Sequence, residues 1–310
     1  MMGPEFDLPT LVKRKDHLQV LRYIRAHELR EPNLVVEHGK LLLGDGLTKS
    51  LDDDASRLAA LEQICLASLD LSNHELAEKC LSQLKEIGAS KKAISPESAR
   101  FRRLLARCLE ASGDYEGATK IYDALLKENP SNLIALQRKY CIARAQNGNK
   151  TDKSPVISAL NDYLGQNMSD TSGWYEMSQL RLSMADYKGA AYALEQVVLG
   201  CPLESKIHMQ LAEVYATIGG LEHLTLARKH MAQALELNPR NVRAQFGLVS
   251  VANQYLEESA TASKKGVDEH ETMVAKELVK YGASQVLASY KGGKLFGAVQ
   301  KVMKDYTDNL

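Results

Sequence analysis

Apolar residues recur at helical spacing along most of the chain, and their arrangement repeats. Between Trp174 and Pro239 one pattern occurs twice: WYEMSQLRLSMADYKGAAYALEQVVLGCP, then LESKIHMQLAEVYATIGGLEHLTLARKHMAQALELNP. In each copy a first helical stretch leads to a turn. A second stretch then carries a small residue, a bulky one four positions on and an apolar one three after that. A proline closes the copy. Apolar positions three and four apart mark one buried helix face, so each copy predicts two helices joined by a short turn.

The period of about 34 residues is that of a tetratricopeptide unit, and it extends in both directions. Helical spacing begins over 8–30, with Leu18, Leu21, Ile24 and Leu29 as the apolar stripe. Pro32 opens a second helix, with Leu34, Val35, Leu41 and Leu42 on its apolar side, and Gly44-Asp45-Gly46 ends it. Asp52-Asp53-Asp54 reads as a helix start, because acids oppose the dipole there. A calcium loop is the poorer reading, since no glycine turn or distal glutamate follows. Helices over 55–70 and 74–87 form a weak first unit, and a Ser/Lys-rich loop is expected over 88–96. The second unit starts with a helix over 97–111; Gly113-Asp114-Tyr115 turns it, and Ala118, Tyr122 and Leu125 repeat the small–bulky–apolar spacing before Pro130. Helices over 132–146 and 155–166 make a third unit, split by a surface insertion at 147–154. The fourth and fifth units are the opening pair, with extra residues in Gly220–Thr225. A helix over 241–257 begins a sixth. A polar loop over 258–270 and helices at about 271–290 and 295–306 follow, the last with Leu295, Val299 and Val302 on its packing face.

The predicted fold class is all-α: a tetratricopeptide-repeat α-solenoid, a right-handed superhelix of helix pairs with helical caps at both ends. The expected divisions are an N-terminal helical cap over 1–54, a repeat array over 55–257 and a C-terminal loop with capping helices over 258–310.

Charge narrows the choice of partner. Lys plus Arg and Asp plus Glu both number 39, so no net charge draws the chain to nucleic acid or an anionic membrane. No secretory signal and no apolar run long enough to span a bilayer are evident. The five cysteines show no CxxC and sit in apolar helical contexts, which predicts reduced, buried thiols. The sequons at Asn149 and Asn167 read as chance matches.

Catalytic motifs are absent: there is no HExxH, phosphate-binding glycine loop or GxSxG, and no cofactor or metal is expected. What the repeat offers is a concave groove lined by the first helix of each unit. Arg100, Arg103 and Arg107 recur on one helical face, and Arg138 and Arg144 occupy comparable places in the third unit. Tyr175, Gln179, Met209 and Glu213 follow in the fourth and fifth, then Arg243 and Phe246. Five arginines at such positions predict a basic stripe suited to carboxylates, which the guanidinium fork binds bidentately. Trp174 reads as a helix-packing residue rather than a ligand platform.

The segment GGLEHLTLARKHMAQALELNPRNVRAQFGL (219–248) resembles the matching stretch of the family of endoplasmic reticulum membrane protein complex subunit 2. ATKIYDALLKENPSN, the run Leu160–Leu164 and WYEMSQLRLSMADYKGAAYALEQ resemble it too, in the same order. The resemblance covers about residues 60–256. It implies a non-catalytic subunit, peripheral on the cytosolic face of the reticulum. Such a subunit supports insertion of tail-anchored and multi-pass proteins. Its partners would be the cytosolic tails of membrane-spanning subunits and another soluble subunit, with membrane attachment only through them. Two alternatives stand beside it: a chaperone adaptor capturing acidic peptide tails, and an auxiliary subunit of a soluble enzyme complex.

Overall fold

The computed structural model describes residues 7–44, 54–91, 98–148, 150–261, 268–308 and 310. Among them are sixteen helices and no strand. The chain forms two compact units, Met1–Gly148 and Asn149–Leu310, so the division falls at the insertion read from the sequence over 147–154.

The first unit contains α1 (Leu8–Lys13), α2 (His17–Ala26), α3 (Pro32–Gly44), α4 (Asp54–Asp70), α5 (His74–Lys91), α6 (Ala99–Ser112), α7 (Tyr115–Glu128) and α8 (Leu133–Asn147). The stretch expected as one helix over 8–30 is broken. Lys15 takes the left-handed conformation (φ 56°), and Asp16 then caps α2 by accepting from the Gln19 amide. Leu29 falls beyond α2 and is exposed. α5 continues to Lys91, so the first residues of the loop expected over 88–96 are helical; 92–96 lie outside the described residues, as do Asp52 and Asp53.

The second unit contains α9 (Ser154–Gln166), α10 (Thr171–Ser183), α11 (Tyr187–Gly200), α12 (Ser205–Ile218), α13 (Leu221–Leu237), α14 (Val242–Thr261), α15 (Glu269–Tyr290) and α16 (Phe296–Asp308). The extra residues of the fifth repeat lengthen α13 to 17 residues, against 14 in α11, rather than forming a loop. Likewise α14 runs on to Thr261, past the expected end at 257. α16 packs through Val299, Met303 and Tyr306, with Met303 buried, and Leu310 beyond it joins the same cluster. Leu295 and Val302, expected on that face, are exposed, because α16 starts at Phe296 and rolls its Met303 side inward.

In a helix pair the first member is called A and the second B. Paired helices pack closely because the B helix carries a small residue at the crossing: Ala77, Ala118, Ala190 and Ala227 are all buried. Bulky partners a turn away, such as Tyr122 and Leu194, are fully enclosed. The turn is set by an acid that caps helix B. Asp114 accepts from the Gly117 amide at 2.9 Å, and Asp186 from the Gly189 amide at 3.0 Å. A side chain at Gly189 would collide with Asp186 and with Arg181, which bonds that same aspartate at 2.6 Å. Trp174 packs edge-on to Tyr192 (5.9 Å between centroids), and its Nε1 donates to the Met168 carbonyl at 2.9 Å. It is a packing residue here.

Candidate functional site

The A helices carry the candidate groove residues, and in the first unit these helices are α4, α6 and α8. Arg100 of α6 holds Glu62 of α4 through Nε at 2.6 Å and through Nη2. Arg107, two turns further along α6, lies 3.9 Å from Asp70 of α4. Arg138 of α8 takes Glu110 of α6 through Nε at 3.1 Å and through Nη2. The second unit repeats the arrangement: Arg243 of α14 donates to both carboxylate oxygens of Glu213 on α12, at 2.6 and 2.8 Å. In every case an arginine on one A helix meets an acid on the preceding A helix. The basic stripe read from the sequence is therefore largely neutralised by partners the sequence analysis did not assign. A signal for them existed, since each acid lies roughly one repeat before its arginine, at separations of 38, 28 and 30 residues.

The most enclosed of these pairs belongs to Glu110, which also accepts from Tyr122 Oη at 2.6 Å. Its side chain is only 8% exposed. The hydrogen bonds to Glu110 hold the Arg138 guanidinium firmly protonated. Burial, then the hydrogen bond to Glu110 and its charge, pushes the Tyr122 phenol above its ordinary range.

The remaining candidates divide. Arg103 has no hydrogen-bond or ion-pair partner among the described residues. Arg144 is exposed and donates to Tyr140 Oη on its own helix at 3.4 Å. Tyr175 accepts from Gln210 of α12 at 3.4 Å, and Gln179 is exposed beside Ser178. Two residues are placed differently from expectation. Met209 is 7% exposed, and its sulfur accepts from Asn241 Nδ2, so it belongs to the core of the second unit. Phe246 is half-buried and packs edge-on to Tyr290 of α15, at 6.1 Å between centroids. Both positions face a neighbouring helix because α12 and α14 bury more of their circumference than an idealised A helix.

The thiols are mixed. Cys65 and Cys80 are buried, and Cys65 Sγ lies 3.9 Å from Cys108 Sγ. Burial pushes the Cys80 thiol up to about 12. Cys201, expected in a buried helical setting, is exposed, because it caps the C-terminus of α11. Among the described residues no cluster of three or more His, Cys, Asp or Glu is arranged to hold a metal. No helix among them is long and apolar enough to cross a membrane.

Stacked helix pairs of this length, with capped turns and small crossing residues, define a tetratricopeptide-repeat protein. The model of the EMC2 TPR-like repeat domain matches residues 94–229. ER membrane protein complex subunit 2-A of Xenopus laevis is 34% identical over 290 residues, covering 92% of this chain and 90% of its own. ER membrane protein complex subunit 2 of Dictyostelium discoideum is 32% identical over 218 residues, covering 70% and 64%. Among solved structures, the C-terminal part of a TPR repeat-containing protein from Cytophaga hutchinsonii is 15% identical, with a TM-score of 0.47, covering 94% of this chain and 98% of its own. The chain belongs to the family of ER membrane protein complex subunit 2.

Proposed function

We propose that this chain is a non-catalytic scaffold of the endoplasmic reticulum membrane protein complex. It sits on the cytosolic face, supports insertion of tail-anchored and multi-pass proteins, and holds cytosolic segments of membrane-spanning subunits against its A-helix faces. The observation that carries this reading is the character of those faces within each unit. Arg103 and Gln179 present hydrogen-bonding groups without being consumed by the core, while Arg100 and Arg138 are fixed in place by acids on the adjacent A helix and Arg181, near Gln179, by Asp186 in the following turn. A fixed polar surface loses little side-chain entropy on binding an extended segment. Attachment to the membrane is through protein partners.

The test is recovery of membrane-spanning subunits with the tagged protein from detergent-solubilised reticulum. Arg103→Glu combined with Gln179→Glu should sharply reduce that recovery while leaving the melting temperature in place, since neither side chain is buried. Undiminished recovery with the double variant overturns the assignment of the A faces.

A further inference from the structure

Three helices of the first unit each bring a cysteine to the same core: Cys65 on α4, Cys80 on α5 and Cys108 on α6. The sulfurs of Cys65 and Cys108 lie 3.9 Å apart. The Cys65 thiol has one proton and two acceptors for it, Cys108 Sγ and the Ala77 carbonyl at 3.6 Å. The two cysteines differ in setting. Cys65 is fully buried, and its hydrogen bond to Cys108, then burial, keep it protonated. Cys108 is half-buried, and the proton offered by Cys65 favours its thiolate. Burial opposes that shift, the neighbouring Arg107 cation supports it, and Glu78 works against it. Cys80 is buried, and burial pushes its thiol up to about 12, which withholds it from nucleophilic chemistry near neutral pH. Ion pairs hold α4 and α6 together on both sides of the sulfur contact: Arg100 with Glu62 on one side and Arg107 with Asp70 on the other.

We propose that Cys108 and Cys65 form an oxidation site, in which a peroxide oxidises Cys108 and Cys65 resolves the product to a disulfide between α4 and α6. The Cys108 thiolate attacks one peroxide oxygen. An S–O bond forms, the O–O bond breaks, and hydroxide leaves to take up the proton that Cys108 released. The Cys65 sulfur then attacks the sulfur of this sulfenic acid. The S–S bond forms, the S–O bond breaks, and the oxygen departs as water with the Cys65 proton. Two thiols lose two electrons in all, and one peroxide becomes two waters. A disulfide needs its sulfurs at about 2.0 Å, and turning the half-buried Cys108 side chain between rotamers moves its sulfur by an amount comparable to the gap. The bond ties the A helices of the first two repeats covalently. It does not depend on what the A faces hold.

The test uses the full chain, reduced with a phosphine, freed of it and treated with hydrogen peroxide, then alkylated and read by peptide mass spectrometry. The expected result is a cross-linked peptide joining Cys65 to Cys108, with the two free thiols lost in equal amount and both restored by dithiothreitol. In Cys65→Ala the reaction should stop at the sulfenic acid, so dimedone should label Cys108 more than in the unaltered chain. In Cys201→Ser, which removes an exposed thiol, the cross-linked peptide should be undiminished. Cys108 remaining a free thiol after Cys201 is oxidised overturns the proposal. So does a bond from Cys108 to Cys80, or between two molecules, in place of the one to Cys65. Absence of dimedone from Cys108 in folded Cys65→Ala overturns it too. The first readout is made on the unaltered protein and decides the matter even where a variant fails to fold.

Discussion

Arg138 and Glu110 join two consecutive A helices through a bidentate ion pair, and Tyr122 closes the carboxylate from the B helix between them. One acid therefore ties α6, α7 and α8 together. Glu110→Gln keeps the shape and removes the charge, leaving Arg138 half-enclosed beside a neutral amide. The expected loss is about 2 kcal/mol of stability, measured by urea unfolding. A double-mutant cycle with Arg138→Gln should return a coupling energy of most of that amount; additive losses would show that the two groups act independently.

The Arg243–Glu213 pair has the same fork geometry, but the arginine side chain is 70% exposed. Water screens such a pair and ordering two long side chains offsets its attraction, so Arg243→Gln should change stability by less than about 1 kcal/mol. Equal losses at Arg138 and Arg243 in the same urea series would contradict the assignment of burial as the deciding variable.

Gly219 and Gly220 both have positive φ, 74° and 83°, with extended ψ values of −176° and 144°. That combination is open essentially to glycine alone. It turns α12 directly into the lengthened α13, and Glu258 of α14 accepts from the Gly220 amide at 2.9 Å. Gly219→Ala should cost about 1–3 kcal/mol, visible as a lower melting temperature. An unchanged melting temperature would mean that the turn relaxes to another conformation.

His208 and His230 meet through their Nδ1 atoms at 3.0 Å, while His208 Nε2 lies 2.9 Å from the Pro202 carbonyl. His208 therefore donates through Nε2 and accepts at Nδ1 from His230. A proton added at His208 Nδ1 removes that acceptor, whereas one added to His230 keeps the hydrogen bond and creates a cation in a half-buried place beside His208. Burial, then His208, lowers the His230 pKa, and Glu195 opposes the shift. The unfolded value is about 6.5, so on acidification the unfolded chain takes up the proton first. The contribution is full above that pH and is lost as pH falls through the depressed folded pKa. His38, lowered by burial and by His17, acts with the same sign in the first unit. Melting temperature should fall between pH 7 and pH 5, less steeply in His230→Gln. Identical pH profiles for the variant and the unaltered protein would remove the pair from the account.

The helix inventory was legible in the sequence because each element announces itself locally. Asp114 and Asp186 cap their B helices, Ala118 and Ala190 sit at the crossings, and Pro130 and Pro202 close the repeats. The divergences have other causes. α5 and α14 run past their expected ends because the residues there, Ala, Ser, Lys and Glu among them, are compatible with helix. Met209 looked like a surface position because its helix face is decided by α14, through Asn241. The arginines were visible, but their neutralisation was not: Glu62 and Glu110 act across the stack, on a neighbouring A helix. Only a repeat-by-repeat alignment of acids against arginines exposes that relation, and it changes the A face from a uniformly basic stripe to a mostly paired one.

The central claim, that the A-helix faces hold the membrane subunits, is tested most directly by site-specific photo-crosslinking in cells. A photoreactive residue is placed at Arg103 or Gln179 on the A helices, or at Lys120 or Lys188 on the exposed side of the B helices. The account predicts adducts with membrane-spanning subunits of the complex from Arg103 and Gln179 and none from Lys120 or Lys188. Adducts from the B-helix positions alone would contradict it.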